Sequence, residues 1–166
     1  MSCLKTLSII NDSGILALVN NERYSSYVIE QWTFPQLKNH FIEEMKNDSI
    51  IIWSIESEDP CTITFLDKPS GEKKIREFSK VIRVTNGRLY LTNYEDITMA
   101  AQYANEKIPA KYNSDLFIEL NNGMYNFTIG QLSQQSNDEK INLEIIIQPI
   151  FEKINESIDN IFWFTG

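Results

Sequence analysis

Histidine and cysteine are nearly missing from this 166-residue sequence: His40 stands alone, and Cys3 and Cys61 lie 58 positions apart. A zinc centre takes about four such ligands in close pairs, so this set does not compose one. The two cysteines make no disulfide framework either and are expected to be reduced thiols in a cytosol. His40 falls within a helical pattern beside Leu37 and Phe41, where it reads as a boundary residue and not as a catalyst. Glycines number six and four of them close turn-like strings, which leaves no phosphate-cradling loop, and no G-x-S-x-G nucleophile elbow is present. Apolar runs are short throughout. None approaches the ~20 residues of a membrane span or forms the core of a signal peptide, and Ser2 stands where myristoylation needs glycine. Basic residues are the minority, 15 against 23 acidic, for a net charge of −8. That balance argues against binding to nucleic acid or anionic membrane, which requires clustered Lys and Arg. It suits a basic partner, or simple solubility.

What is present is ordinary globular composition, 42% hydrophobic and 23% charged, in a length that suits one domain spanning 1–166. Turn chemistry divides the chain. Asn11-Asp12-Ser13-Gly14, Pro69-Ser70-Gly71, Asn86-Gly87 and Asn121-Asn122-Gly123 offer residues that tolerate positive φ, with apolar or alternating runs on either side. These strings read as hairpins. Further strands are expected at Ile50 to Ile55, Thr62 to Leu66 and Ile141 to Ile147. The expected fold is mainly β (α+β): an antiparallel β-sandwich of about nine short strands with one to three peripheral helices. Thr33 to Met45 reads as a helix, with Pro35 in its first turn and Leu37, Phe41, Ile42 and Met45 on one face. A second helix is expected from Phe151 on, where Ile154, Ile158, Ile161 and Phe162 recur at helical spacing. Asp96 to Asn105 reads either as a short helix capped by Asp96 or as a loop, and Ser133 to Lys140 as a polar loop.

No catalytic residues, metal ligands or cofactor site are predicted. Glu56, Glu58 and Asp59 surround Pro60 without the central glycine of a calcium loop, and read as a solvated turn. Glu95-Asp96 and Asp138-Glu139 are adjacent pairs, which point to opposite faces if they lie on strands. A basic island, Lys68, Lys73, Lys74, Arg76, Lys80 and Arg83, reads as a solvated edge strand, with an anion site as the alternative. The acidic charge is uneven: residues 1–83 carry 10 basic and 12 acidic groups, residues 84–166 carry 5 and 11. Phe162-Trp163-Phe164 is either buried or an exposed patch for a partner. From these features the expected partner-binding residues are Glu95, Asp96, Asp138, Glu139 and Trp163, with the four acids placed outside the core.

Residues 81–132, with Asn86-Gly87 leading to Leu89 and Gly123 leading to Tyr125, resemble a family of small bacterial β-sandwich proteins that includes the competence nuclease inhibitor ComJ. The resemblance implies a small acidic inhibitor or immunity-type protein with sandwich topology; no diagnostic functional residue transfers. The resulting expectation is a non-catalytic, cytoplasmic binding protein that neutralises a basic protein partner such as a toxin or nuclease. Nuclease sites are positive to hold phosphates, and an acidic surface can occupy them. The alternatives are a ligand-binding or hydrolytic β domain using scattered carboxylates and tyrosines, and a structural subunit of an assembly.

Overall fold

The computed structural model describes residues 3–11, 13–133, 140–152 and 154–165. In chain order the elements are β1 (Cys3–Ile9), β2 (Ile15–Val19), α1 (Phe34–Lys46), β3 (Ile50–Ser54), β4 (Cys61–Leu66), β5 (Lys74–Val84), β6 (Arg88–Asn93), α2 (Tyr94–Gln102), a 3-10 turn (Lys111–Asn113), β7 (Phe117–Glu119), β8 (Gly123–Leu132) and β9 (Ile141–Ile150). The fold is α+β with mostly β content, as expected. A five-stranded sheet in the order β1-β4-β9-β8-β5 packs on a four-stranded sheet in the order β3-β2-β6-β7.

Strand alternation explains the layering. Leu16 and Leu18 of β2 and Ile51 and Trp53 of β3 enter the core between the sheets, with Ile63, Phe65, Phe127, Leu143 and Ile145 opposite them. The intervening Ile15, Ala17, Val19, Ile50 and Ile52 face the other way, into a second core roofed by Leu37, Phe41 and Met45 of α1 and Ile97, Ala100 and Ala101 of α2. The smaller sheet is therefore buried on both faces. That is why β2 and β3 read as unbroken apolar runs, and not as alternating ones.

The turns behave differently from the hairpin reading. Asn11–Gly14, Asn86-Gly87 and Asn121–Gly123 each carry the chain from one sheet to the other, because β1, β5 and β8 belong to the larger sheet and β2, β6 and β7 to the smaller. Pro69–Gly71 links β4 and β5, which share a sheet but are not neighbours. A positive φ, seen at Gly14, Gly71, Gly87 and Gly123, reverses the chain equally well into a hydrogen-bonded partner or into a facing sheet. Most ladders are antiparallel. The exception is β4–β9, where Cys61 pairs Ile141 and Leu66 pairs Ile146 in parallel.

Helix α1 opens on a capping box not anticipated from the sequence: the Thr33 side chain accepts from the Gln36 amide while Gln36 reaches back to Thr33 N–H. The uncertain segment after Tyr94 is a helix, but its N-cap is Asn93, whose Oδ1 accepts from Asp96 N–H at 3.3 Å. No helix forms after Phe151 among the described residues. Asn155, Ser157, Asp159 and Asn160 interrupt the apolar spacing with poor helix formers. The chain instead runs irregularly to an isolated parallel bridge between Phe162 and Trp53, so β3 meets its edge requirements there.

Candidate functional site

Helix α2, the 3-10 turn and the end of β1 meet around a cleft of about 590 Å³. Its lining includes Ile10, Tyr112 and Leu116 on the apolar side and Glu95 and Asp115 on the acidic side. Ile10, just after β1, is 77% exposed and Tyr112, within the 3-10 turn, 59%, unusual for large apolar and aromatic side chains. Leu116 is partly buried against the inter-sheet core and is pinned to β6, since Leu91 N–H donates to its carbonyl at 2.9 Å. Glu95 and Asp115 are exposed, and neither forms an ion pair among the described residues.

Beneath this cleft lies Asp96, and here the exposed-turn expectation fails. Asp96 is only 3% exposed. Its Oδ2 accepts from Thr92 Oγ1 at 2.5 Å and from Ala110 N–H at 2.9 Å, while Asn113 Nδ2 donates to Thr92 Oγ1 at 2.9 Å. The first turn of α2 favours a carboxylate, and the adjoining loop folds over it to supply donors. Asp96 thus holds the 110–113 segment that carries Tyr112, and its carboxylate is buried. Glu95, its neighbour, faces water as expected. Asp138 and Glu139 lie outside the described residues.

Trp163 is half-buried. Its ring meets Phe78 edge-on at 5.0 Å, and the Arg76 guanidinium sits 4.2 Å from its centroid. Phe162 stacks on Phe78 at 4.0 Å, and Phe164 contacts Phe34 of α1 at 5.6 Å. Residues 156–164 form a strap across the side where β3 and β5, edge strands of the two sheets, come together. Phe162 carbonyl accepts from Ser54 N–H at 2.8 Å. Glu156 uses both carboxylate oxygens, accepting from Lys80 Nζ and from Val81 N–H at 2.9 Å each. The aromatic end of the chain is largely spent on packing.

The other candidates resolve structurally. His40 Nε2 lies 2.6 Å from the Ser25 carbonyl and packs edge-on against Tyr24, a boundary position. The basic island is not one solvated face: Lys80 is fully buried between Asp48 and Glu156, and Lys74 reaches across Gly130 to the buried Glu144 at 2.9 Å. Those contacts also consume acids of the second half of the chain, and Glu119 lies 3.8 Å from Arg88. The exposed acidic surface is smaller than the sequence count. Both cysteines are free, at opposite ends of the β1–β4 ladder. Among the described residues no three His, Cys, Asp or Glu side chains gather as metal ligands, and no helix is long and apolar enough to cross a membrane.

Ile10, Tyr112 and Asp115 were not legible as site residues. They come from segments about a hundred positions apart, and the one local signal was an apolar residue, Ile10, extending a strand into a polar turn.

Two β-sheets with helices roofing the smaller one define the class of this protein: a layered α+β sandwich. Within that class, its fold is similar to that of ComJ, "inhibitor of the DNA degrading activity of NucA", from Bacillus subtilis, with a TM-score of 0.55 and 13% identity over 90% of this chain and 98% of that one. A second similar structure, described as crocagin biosynthetic gene J, has a TM-score of 0.52 and 10% identity over 88% of this chain and 98% of its own. No family model matches the sequence, and no curated protein matches it. The ComJ resemblance of residues 81–132 therefore extends to the fold of nearly the whole chain.

Proposed function

We propose that this chain is a non-catalytic binding protein of the cytosol that inhibits a basic protein, a nuclease or nuclease-like toxin, by occupying its positive site. The observation that carries the reading is the whole-length fold shared with a nuclease inhibitor, in a chain whose net charge is −8. Because a fold hosts several functions, and the second similar structure is named for biosynthesis, the charge is the needed second support. An acidic surface accelerates encounter with a phosphate-binding site and competes with nucleic acid there.

Glu95, with Asp138 and Glu139, is the proposed contact set; Asp96 leaves it because of its burial, and Trp163 serves it only by holding the strap. The test is titration of the purified protein against a DNA-degrading nuclease of the NucA kind on plasmid substrate. Inhibition saturating at a fixed molar ratio, and weakened when Glu95, Asp138 and Glu139 are replaced by Lys, is the expected result. Absence of both inhibition and complex formation at micromolar protein would remove the reading.

A further inference from the structure

We propose that the cleft formed by Ile10, Tyr112, Leu116, Glu95 and Asp115 is the seat of a single Arg or Lys side chain presented by a protein partner. Long cationic side chains are amphipathic: a hydrocarbon stem wants apolar cover while the head wants carboxylate and water. The cleft has both halves. Ile10 and Leu116 offer the apolar wall, and Glu95 and Asp115 contribute two carboxylates without ion-pair partners among the described residues. Its volume of about 590 Å³ admits a side chain together with part of the loop that bears it. Lys111 is adjacent to Tyr112 in sequence but does not line the cleft. A hollow of about 740 Å³ between the β5–β6 and β7–β8 turns lacks this pairing, because its one carboxylate, Glu119, lies beside Arg88.

The floor is built to stay in place. Asn93 Nδ2 donates to the Ile10 carbonyl at 3.3 Å, Leu116 N–H donates to Asn113 carbonyl at 3.0 Å, and Asp96 secures Ala110. A preformed cavity loses little conformational freedom when filled, which favours a short anchoring contact over a broad adaptable one. The seat rests on the binding-protein reading in one respect: the cation is carried by a protein.

The probe is N-acetyl-arginine amide, followed by two-dimensional amide NMR, with the N-acetyl-norleucine and N-acetyl-glutamate amides as controls. Arginine amide is expected to shift the amides of Ile10, Glu95, Tyr112, Asp115 and Leu116, norleucine amide weakly, and glutamate amide not at all. The double variant Glu95→Gln, Asp115→Gln should weaken arginine amide about fivefold, and Ile10→Ala should weaken both arginine and norleucine amides. All three residues are exposed, so unchanged melting temperatures verify the fold. Shifts confined to another face, equal shifts from all three probes, or concentration-dependent shifts at the cleft without any probe, the mark of self-association, overturn the seat. If arginine amide binds here and no nuclease is inhibited, the seat stands and the inhibitor reading falls. If a nuclease is inhibited equally by the wild type and the double variant, the inhibitor reading stands and the seat falls.

Discussion

Glu95 and Asp96 are neighbours of the same charge type, yet the structure gives them opposite roles. Asp96 is enclosed by donors from Thr92 and Ala110, so removing its carboxylate strands those groups in the interior. Asp96→Ala is expected to lower unfolding stability by about 3 kcal/mol, while Glu95→Ala stays within about 0.5 kcal/mol. Paired urea denaturation curves decide it; equal effects would contradict the burial difference. Glu95 and Asp96 read alike as acids outside the core because nothing local announces that residues 110–113 will fold over Asp96. Lys74 supplies a second case at this scale. Contact with the Glu144 carboxylate raises its pKa above the ordinary 10.5, so its contribution is complete below that value and is lost as pH rises through the folded-state pKa. Stability should fall in that alkaline window, and Lys74→Met should flatten this part of the profile. Gly130 belongs to the same arrangement: a Cβ there would stand 2.5 Å from Lys74 Cδ, so any side chain at 130 would push the lysine off its present path.

Among the elements, strands and the first helix were legible and connections were not. Nine strands follow from apolar runs and turn residues, and Pro35 with the spacing of Leu37, Phe41 and Met45 marks α1. Period and capping are local properties. Whether a turn joins two hydrogen-bonded strands or two facing sheets depends on which surfaces remain to be covered, and three such turns were misread for that reason. The segment after Phe151 shows the same limit, since helical spacing of Ile154, Ile158 and Ile161 also suits an irregular strap with anchors at intervals. That strap makes a testable element. Phe162 stacks on Phe78 and bridges β3, so Phe162→Ala is expected to cost about 2 kcal/mol. Hydrogen exchange should accelerate first at the Ser54 amide, which donates to the Phe162 carbonyl, before the β8–β9 ladder changes. Trp163 adopts φ of +64°, a left-handed conformation held by its contacts with Phe78 and Arg76, so the strap closes under local strain.

For the molecule as a whole, charge is the property that the proposed function draws upon. Several acids that make up the −8 are internal or paired, among them Asp96, Glu144 and Glu156, so the surface field comes from fewer groups than composition suggests. Association with a basic partner should still slow as salt rises, because exposed charges are screened over about 8 Å at physiological ionic strength. Stopped-flow association rates across a salt series check this, and a flat series would leave shape alone to account for binding. The sequence count pointed to the sign of the surface but not to its location, since the cleft draws on β1, α2 and the segment before β7.

The position of β9 has one more consequence. It lies between β4 and β8 in the larger sheet, although it is the last of the nine strands among the described residues. While the polypeptide is being synthesised, β1–β4 and β5–β8 can each form a ribbon, but each ribbon keeps an inner edge open until residues 141–150 arrive. A nascent chain halted before that point would expose two unpaired apolar strands, the kind of edge that recruits other chains. Ribosome-bound intermediates should therefore need chaperone protection up to the emergence of Ile150 and lose that need abruptly afterwards.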